Sequence, residues 1–152
     1  MNTLNLRWVV KEPDKNAEER NFEIRYKDED DLSEKQLKLA QDLVGGYVEV
    51  AWLGGEVKVL LNEDGLIKNL PSNCGFVGTL VFFHDTCDGV SDWDSLSDEE
   101  VRKIMAWTTI HAHNVHPGYI GPQIITGDEA IAAYRKKLQK EGQKIEDEWN
   151  AI

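Results

Sequence analysis

The sequence has little of what marks exported or membrane-embedded proteins. Only two cysteines, Cys74 and Cys87, occur in 152 residues. That is too few for the disulfide framework of a small secreted domain, so both are read as reduced thiols in a cytosol rather than as a Cys74–Cys87 bridge. No apolar run approaches the roughly 18 residues that cross a bilayer, and the N-terminus lacks a basic segment followed by an apolar stretch and a cleavage site. The expectation is a cytoplasmic protein, neither inserted nor exported, with no membrane partner. Positive charge is scarce as well: 17 basic against 28 acidic side chains give a formal net charge of −11. Phosphate backbones repel such a chain unless cations cluster, and no cluster is visible, so direct nucleic-acid binding is not expected.

What is present folds. Hydrophobic residues make up 41% of the chain, with five Trp, four Tyr and four Phe, enough for one packed core and too little length for two. Leu4, Leu6, Trp8 and Val10 alternate with polar residues, as do Phe22, Ile24 and Tyr26; each run predicts a half-buried strand. The acidic run 28–31 reads as a solvated loop. Ser33 with Gln36, and Leu32 with Leu37, form a capping box and hydrophobic staple for a helix over 34–44, which Gly45 ends. Val48, Val50 and Trp52 alternate into a second hairpin turned by Gly54-Gly55 and returning through Val57, Val59 and Leu61; Trp52 is assigned to the core. Residues 79–83 are apolar or β-branched throughout, as in a strand covered on both faces.

Ser97 with Glu100, flanked by Leu96 and Val101, caps a helix over 98–107. Residues 108–127 hold His, Pro and Gly without a period and read as an ordered loop or short strand in which Ile124 and Ile125 could pack. Thr126 and Glu129 open an amphipathic helix over 128–152, its stripe formed by Ile131, Tyr134, Leu138, Ile145 and Trp149 and interrupted at Gly142. The fold class is therefore α+β. A mainly antiparallel sheet built from hairpins packs against two short helices within residues 1–107, and a C-terminal helix follows.

Several of these segments in order, LVGGYVEV at 43–50, LNEDG at 61–65, Leu70-Pro71 with Ser72 and Asn73, a Gly-Thr strand at 78–79 and SLSDEEV at 95–101, resemble domain of unknown function 3846. The resemblance covers about 32–104. It implies an accessory protein of bacteriophages or mobile elements, working in the host cytoplasm, and it supplies no catalytic residue. The stretch between Asn73 and Gly78 is short for that family, and everything after Trp107 lies outside its pattern.

Three classes of chemistry are weighed against structural roles. His111, His113 and His116 are spaced so that they could bind a metal, with Cys87, Asp85 or His84 as a fourth ligand, although the spacing matches no standard zinc motif. Asp85, Asp88, Asp92 and Asp94 lack the glycine and glutamate placement of a calcium loop. A Cys87–His84 nucleophile pair has no orienting third group. Asn62, Glu63, Pro71 and Asn73 end strands and could share one rim of the sheet as a ligand site, while Trp93 and Trp149 are candidates for contact with a partner. No cofactor is called for. The leading expectation is a non-enzymatic protein that binds a host protein or sequesters a small nucleotide-like ligand, with self-association possible through the C-terminal helix. The alternatives are an acidic nucleic-acid mimic and a metal-dependent enzyme using His111, His113 and His116.

Overall fold

The computed structural model describes residues 1–85, 93–116 and 127–152. Cys87, Asp88, Asp92, Ile124, Ile125 and Thr126 lie outside them, as does the side chain of Leu138. The strands are β1 (Asn2–Lys11), β2 (Glu18–Tyr26), β3 (Val48–Gly54), β4 (Val57–Asn62), β5 (Ser72–Asn73), β6 (Phe76–Val77) and β7 (Leu80–His84); the helices are α1 (Glu29–Val44), α2 (Asp98–Ile110) and α3 (Asp128–Asn150). Five strands make one antiparallel sheet in the order β2-β1-β7-β4-β3, and β5 pairs with β6 as a small separate ribbon.

The period-2 geometry of strands sends alternate side chains to opposite faces, and here both faces are covered. Leu6, Trp8 and Val10 of β1, Leu60 of β4 and Val81 and Phe83 of β7 pack with Ala40 and Val44 of α1. Val9, Val57, Val59, Leu61, Leu80 and Phe82 project the other way, against Leu96 and against Val101, Ile104 and Trp107 of α2. That two-sided cover explains the continuous apolar run of β7, the middle strand. The α+β class and the antiparallel sheet are as the patterns predict, with the helices divided between the two faces.

Local signals fixed some boundaries and misplaced others. Ser97 and Glu100 form the predicted reciprocal capping box: Glu100 N donates to Ser97 Oγ (3.2 Å) and Ser97 N to Glu100 Oε1 (2.9 Å). α2 runs on to Ile110, so residues 108–110 are helical rather than loop. α1 begins earlier than Ser33 because Asp28 is its N-cap, accepting from Asp31 N at 2.8 Å. The acidic run that read as a solvated loop is thus the first helical turn, where carboxylates face the positive end of the helix dipole. The second hairpin turns at Gly55-Glu56, one residue late, because a register irregularity between Trp52 and Gly54 keeps Gly54 in the strand. Trp52 is 43% exposed, a correction to its assignment as core: β3 is an edge strand, and α1 packs only near its Val48 end.

α3 is fastened by its last turns. Trp149 is buried and joins the core of the α2 face, while Ile131 and Tyr134 stand 36% and 43% exposed. The indole seats against the backbone of Gly54, where an added Cβ would lie 2.2 Å from Trp149 Cγ. Lys103 Nζ sits 5.5 Å from the Trp149 ring centroid. Gly54→Ala is therefore expected to eject the indole and cost about 3 kcal/mol, the lower range for losing a buried aromatic. In a Trp149→Gly background, which removes the Trp149 Cβ at 2.7 Å as well as the ring, the same substitution should cost much less. Urea denaturation of the four proteins checks this; additive losses would mean that Gly54 is needed for some other reason.

Candidate functional site

The candidate residues fall into four places rather than one. Asn62 is buried and structural: Nδ2 donates to the Val44 carbonyl (3.1 Å), and Oδ1 accepts from Asp64 N (2.9 Å), tying the end of β4 to the end of α1. Glu63 borders a small cavity of about 230 Å³ that His116 also lines. Asn73 is buried on the far side of β5, bonded to β1 and to the Gly78 carbonyl. Trp93 is half-buried, its ring 5.7 Å from Phe83 and its carbonyl accepting from Gln36 Nε2, so it seals the α1 face. Trp149 lies in the core of the other face.

The three histidines are not brought around a common point. His111 and His116 line one cavity, while His113 lines another. Among the described residues no three His, Cys, Asp or Glu side chains are placed to hold a metal ion. Asp85 is buried and accepts from Lys58 Nζ at 2.8 Å. His84 is clamped between two carboxylates, Nδ1 at 2.8 Å from Glu100 and Nε2 at 2.9 Å from Glu56. Cys74 is buried with Sγ 3.6 Å from the Thr108 carbonyl; burial pushes its thiol pKa up, against the pull of Lys11, so it is not an activated nucleophile.

A cleft of about 640 Å³ lies between the sheet edge and the docked end of α3. Leu53, Phe76 and Trp107 contribute its apolar surface, with Trp52 alongside; His111, Asn114 and His116 come from the segment after α2, and Glu141, Lys144, Ile145 and Glu148 from α3. The Trp107 ring holds Phe76 at 6.4 Å and His111 at 4.7 Å, centroid to centroid. His111 is fixed twice more, by Asn114 Nδ2 at Nδ1 (2.6 Å) and by Glu148 at Nε2 (3.4 Å), the latter joining α3 to α2. Cys74 takes φ 52° and is followed by Gly75 at 87°, a tight turn that presents Phe76 to the cleft. An aromatic wall with a few fixed polar groups is what a planar organic ligand needs. The sequence missed this site because its parts come from β3, β6, α2 and α3; the only local signal was the density of aromatic and histidine residues near Trp107.

Residues 6–109 match the family described as domain of unknown function (DUF3846). The chain belongs to the DUF3846 family. The match begins in β1, well before the segment at 32–104 that carries the resemblance, and it stops at the end of α2. The α3 wall of the cleft is thus an addition to the DUF3846 domain, held on by Trp149 and the His111–Glu148 pair. The chain matches no curated protein and no solved structure. Among the described residues no helix is long and apolar enough to cross a membrane.

His84 yields a pH dependence. Burial disfavours its charged form, but Glu100, Glu56 and Asp94 outweigh that and raise its pKa above the usual histidine value. A group held protonated by the fold contributes stability that is complete below its unfolded pKa of about 6.5 and is lost as pH rises through the higher folded value. Thermal melts between mildly acidic and mildly alkaline pH should show wild type losing stability over that window and His84→Gln losing less. Equal slopes would remove His84 as the cause.

Proposed function

We propose that this DUF3846 protein is a non-enzymatic accessory factor, of the kind found in bacteriophages and mobile elements, that acts in the cytoplasm by sequestering a small nucleotide-like ligand. The observation that carries this reading is the cleft of about 640 Å³, lined by the aromatic residues Trp52, Phe76 and Trp107 together with Lys144, Asn114 and His116. Stacking on indole or phenyl rings is favourable for any base and needs no reactive side chain. A sequestering protein needs a binding surface rather than chemistry, which agrees with a buried, unactivated Cys74 and with a His111 already engaged by Trp107, Glu148 and Asn114. The accessory role rests on the family resemblance.

Nothing favours the other readings equally. The carboxylates of Glu19, Asp98, Glu18, Glu23, Asp31 and Asp42 are interleaved with Arg and Lys partners in local ion pairs, which is not the uninterrupted array a nucleic-acid mimic presents. Engagement of a host protein, or self-association through α3, would use exposed apolar side chains such as Ile131, Tyr134 and Ile145.

A panel of nucleosides, nucleotides and cyclic nucleotides, screened by melting temperature and tryptophan fluorescence, tests the proposal. A ligand that binds only the folded state at a hundred times its Kd adds about 2.7 kcal/mol of stability. Trp52→Ala should weaken binding by about tenfold or more, the scale of one lost stacking contact of roughly 1–3 kcal/mol. Silence across the panel, or binding that is indifferent to Trp52, would overturn the reading.

A further inference from the structure

A second cavity, of about 420 Å³, lies where the β1–β2 turn meets β5 and the end of α2. Its chemistry differs from that of the aromatic cleft. Lys11, the last residue of β1, lines it although only 6% of the residue is exposed. The Lys11 ammonium donates to the Glu12 carbonyl (3.0 Å) and to Asn73 Oδ1 (2.9 Å). Both acceptors are neutral. An ammonium has three hydrogens, and among the described residues the ion pairs include none to Lys11. A buried charge answered only by neutral dipoles is expensive to keep, which is the condition in which an incoming anion gains most.

The ammonium is also held in place. Asn73 Nδ2 donates to the Lys11 carbonyl (2.7 Å) and to the Gly78 carbonyl (2.9 Å), so Oδ1 has one orientation, toward Lys11 Nζ. Lys15, Thr109 and His113 line the same cavity, and Asp14 is its one lining carboxylate. Lys15 is itself paired with Glu12 (3.2 Å), so the charge a ligand would meet in this cavity is that of Lys11.

We infer that this cavity is an anion site, in which Lys11 receives the phosphate or carboxylate group of a small ligand against a frame set by Asn73. The inference is independent of the aromatic cleft. A purely structural lysine would bridge the same strands and show no anion dependence, so the two roles separate experimentally. The full-length protein is titrated with sodium phosphate, sodium acetate or sodium chloride at constant ionic strength, followed by melting temperature and by amide proton–nitrogen spectra. Phosphate, acetate or both should raise the melting temperature above the chloride control and move the amide resonances of Asn73, Thr108 and Thr109. Lys11→Met should abolish both responses, and Lys11→Arg should keep the sign of each. Responses equal to chloride, responses that survive in Lys11→Met, or resonance changes confined to other parts of the chain would overturn the assignment. Should Lys11→Met fail to fold, the wild-type resonance map decides between these outcomes by itself.

Discussion

The structure depends on one constraint: the middle strand β7 has no polar face. Leu80 and Phe82 point one way and Val81 and Phe83 the other, and all four are buried. A sheet with such a strand at its centre must be covered on both sides. α1 supplies one cover through Ala40 and Val44, and α2 supplies the other through Val101, Ile104 and Trp107. The edges then follow. β2 and β3, at the ends of the sheet, carry the exposed and charged residues, and β3 is left with Trp52 and Val50 uncovered beyond the reach of α1.

That uncovered edge is what the C-terminal helix uses. α2 fills the α2 face only as far as Trp107, and the remaining ground around Leu53 and Val57 is closed by Trp149. The indole can descend because position 54 has no side chain, and the separation of 2.2 Å to a notional Cβ shows how little room a larger residue would leave. Anchoring a helix by one large residue near its end leaves the rest of it as a wall rather than a lid. Glu141, Lys144, Ile145 and Glu148 stand along the cleft while the turns before them stay exposed. The cleft thus exists because an added element covers a family domain incompletely.

How far the sequence revealed this can be judged residue by residue. Signals complete within a few positions read true: the alternation in β1, the capping box at Ser97 and Glu100, the αL end of α1 at Gly45. Where two local signals competed, the one with longer reach won. Ser33-x-x-Gln36 is a good start pattern, but Asp28 followed by three acidic residues gives a helix with one more turn and a better-matched dipole. Trp52 obeyed the alternation of its strand, yet burial depends on what lies across the sheet, and no pattern in β3 says that it is an edge. Asn62 and Asn73, chosen as rim residues, are turn-type residues whose amides close the ends of strands. Their chemistry was legible, and their direction was not.

Asn73 also shows why such a residue can be structural and still shape a site. A carboxamide has two hydrogens and one oxygen to place; its donors here are spent on the Lys11 and Gly78 carbonyls, which fixes where the oxygen looks. The oxygen looks at Lys11 Nζ, and so a residue that holds β5 to β1 also sets the position of the one buried ammonium in its cavity. An aspartate at 73 would neutralise that ammonium, and a leucine would leave it with a single acceptor. Asparagine does neither: it positions the charge without cancelling it. An ion pair there would forfeit the two N–H donations to the Lys11 and Gly78 carbonyls, so the carboxamide both ties β5 to β1 and leaves Lys11 with a neutral acceptor.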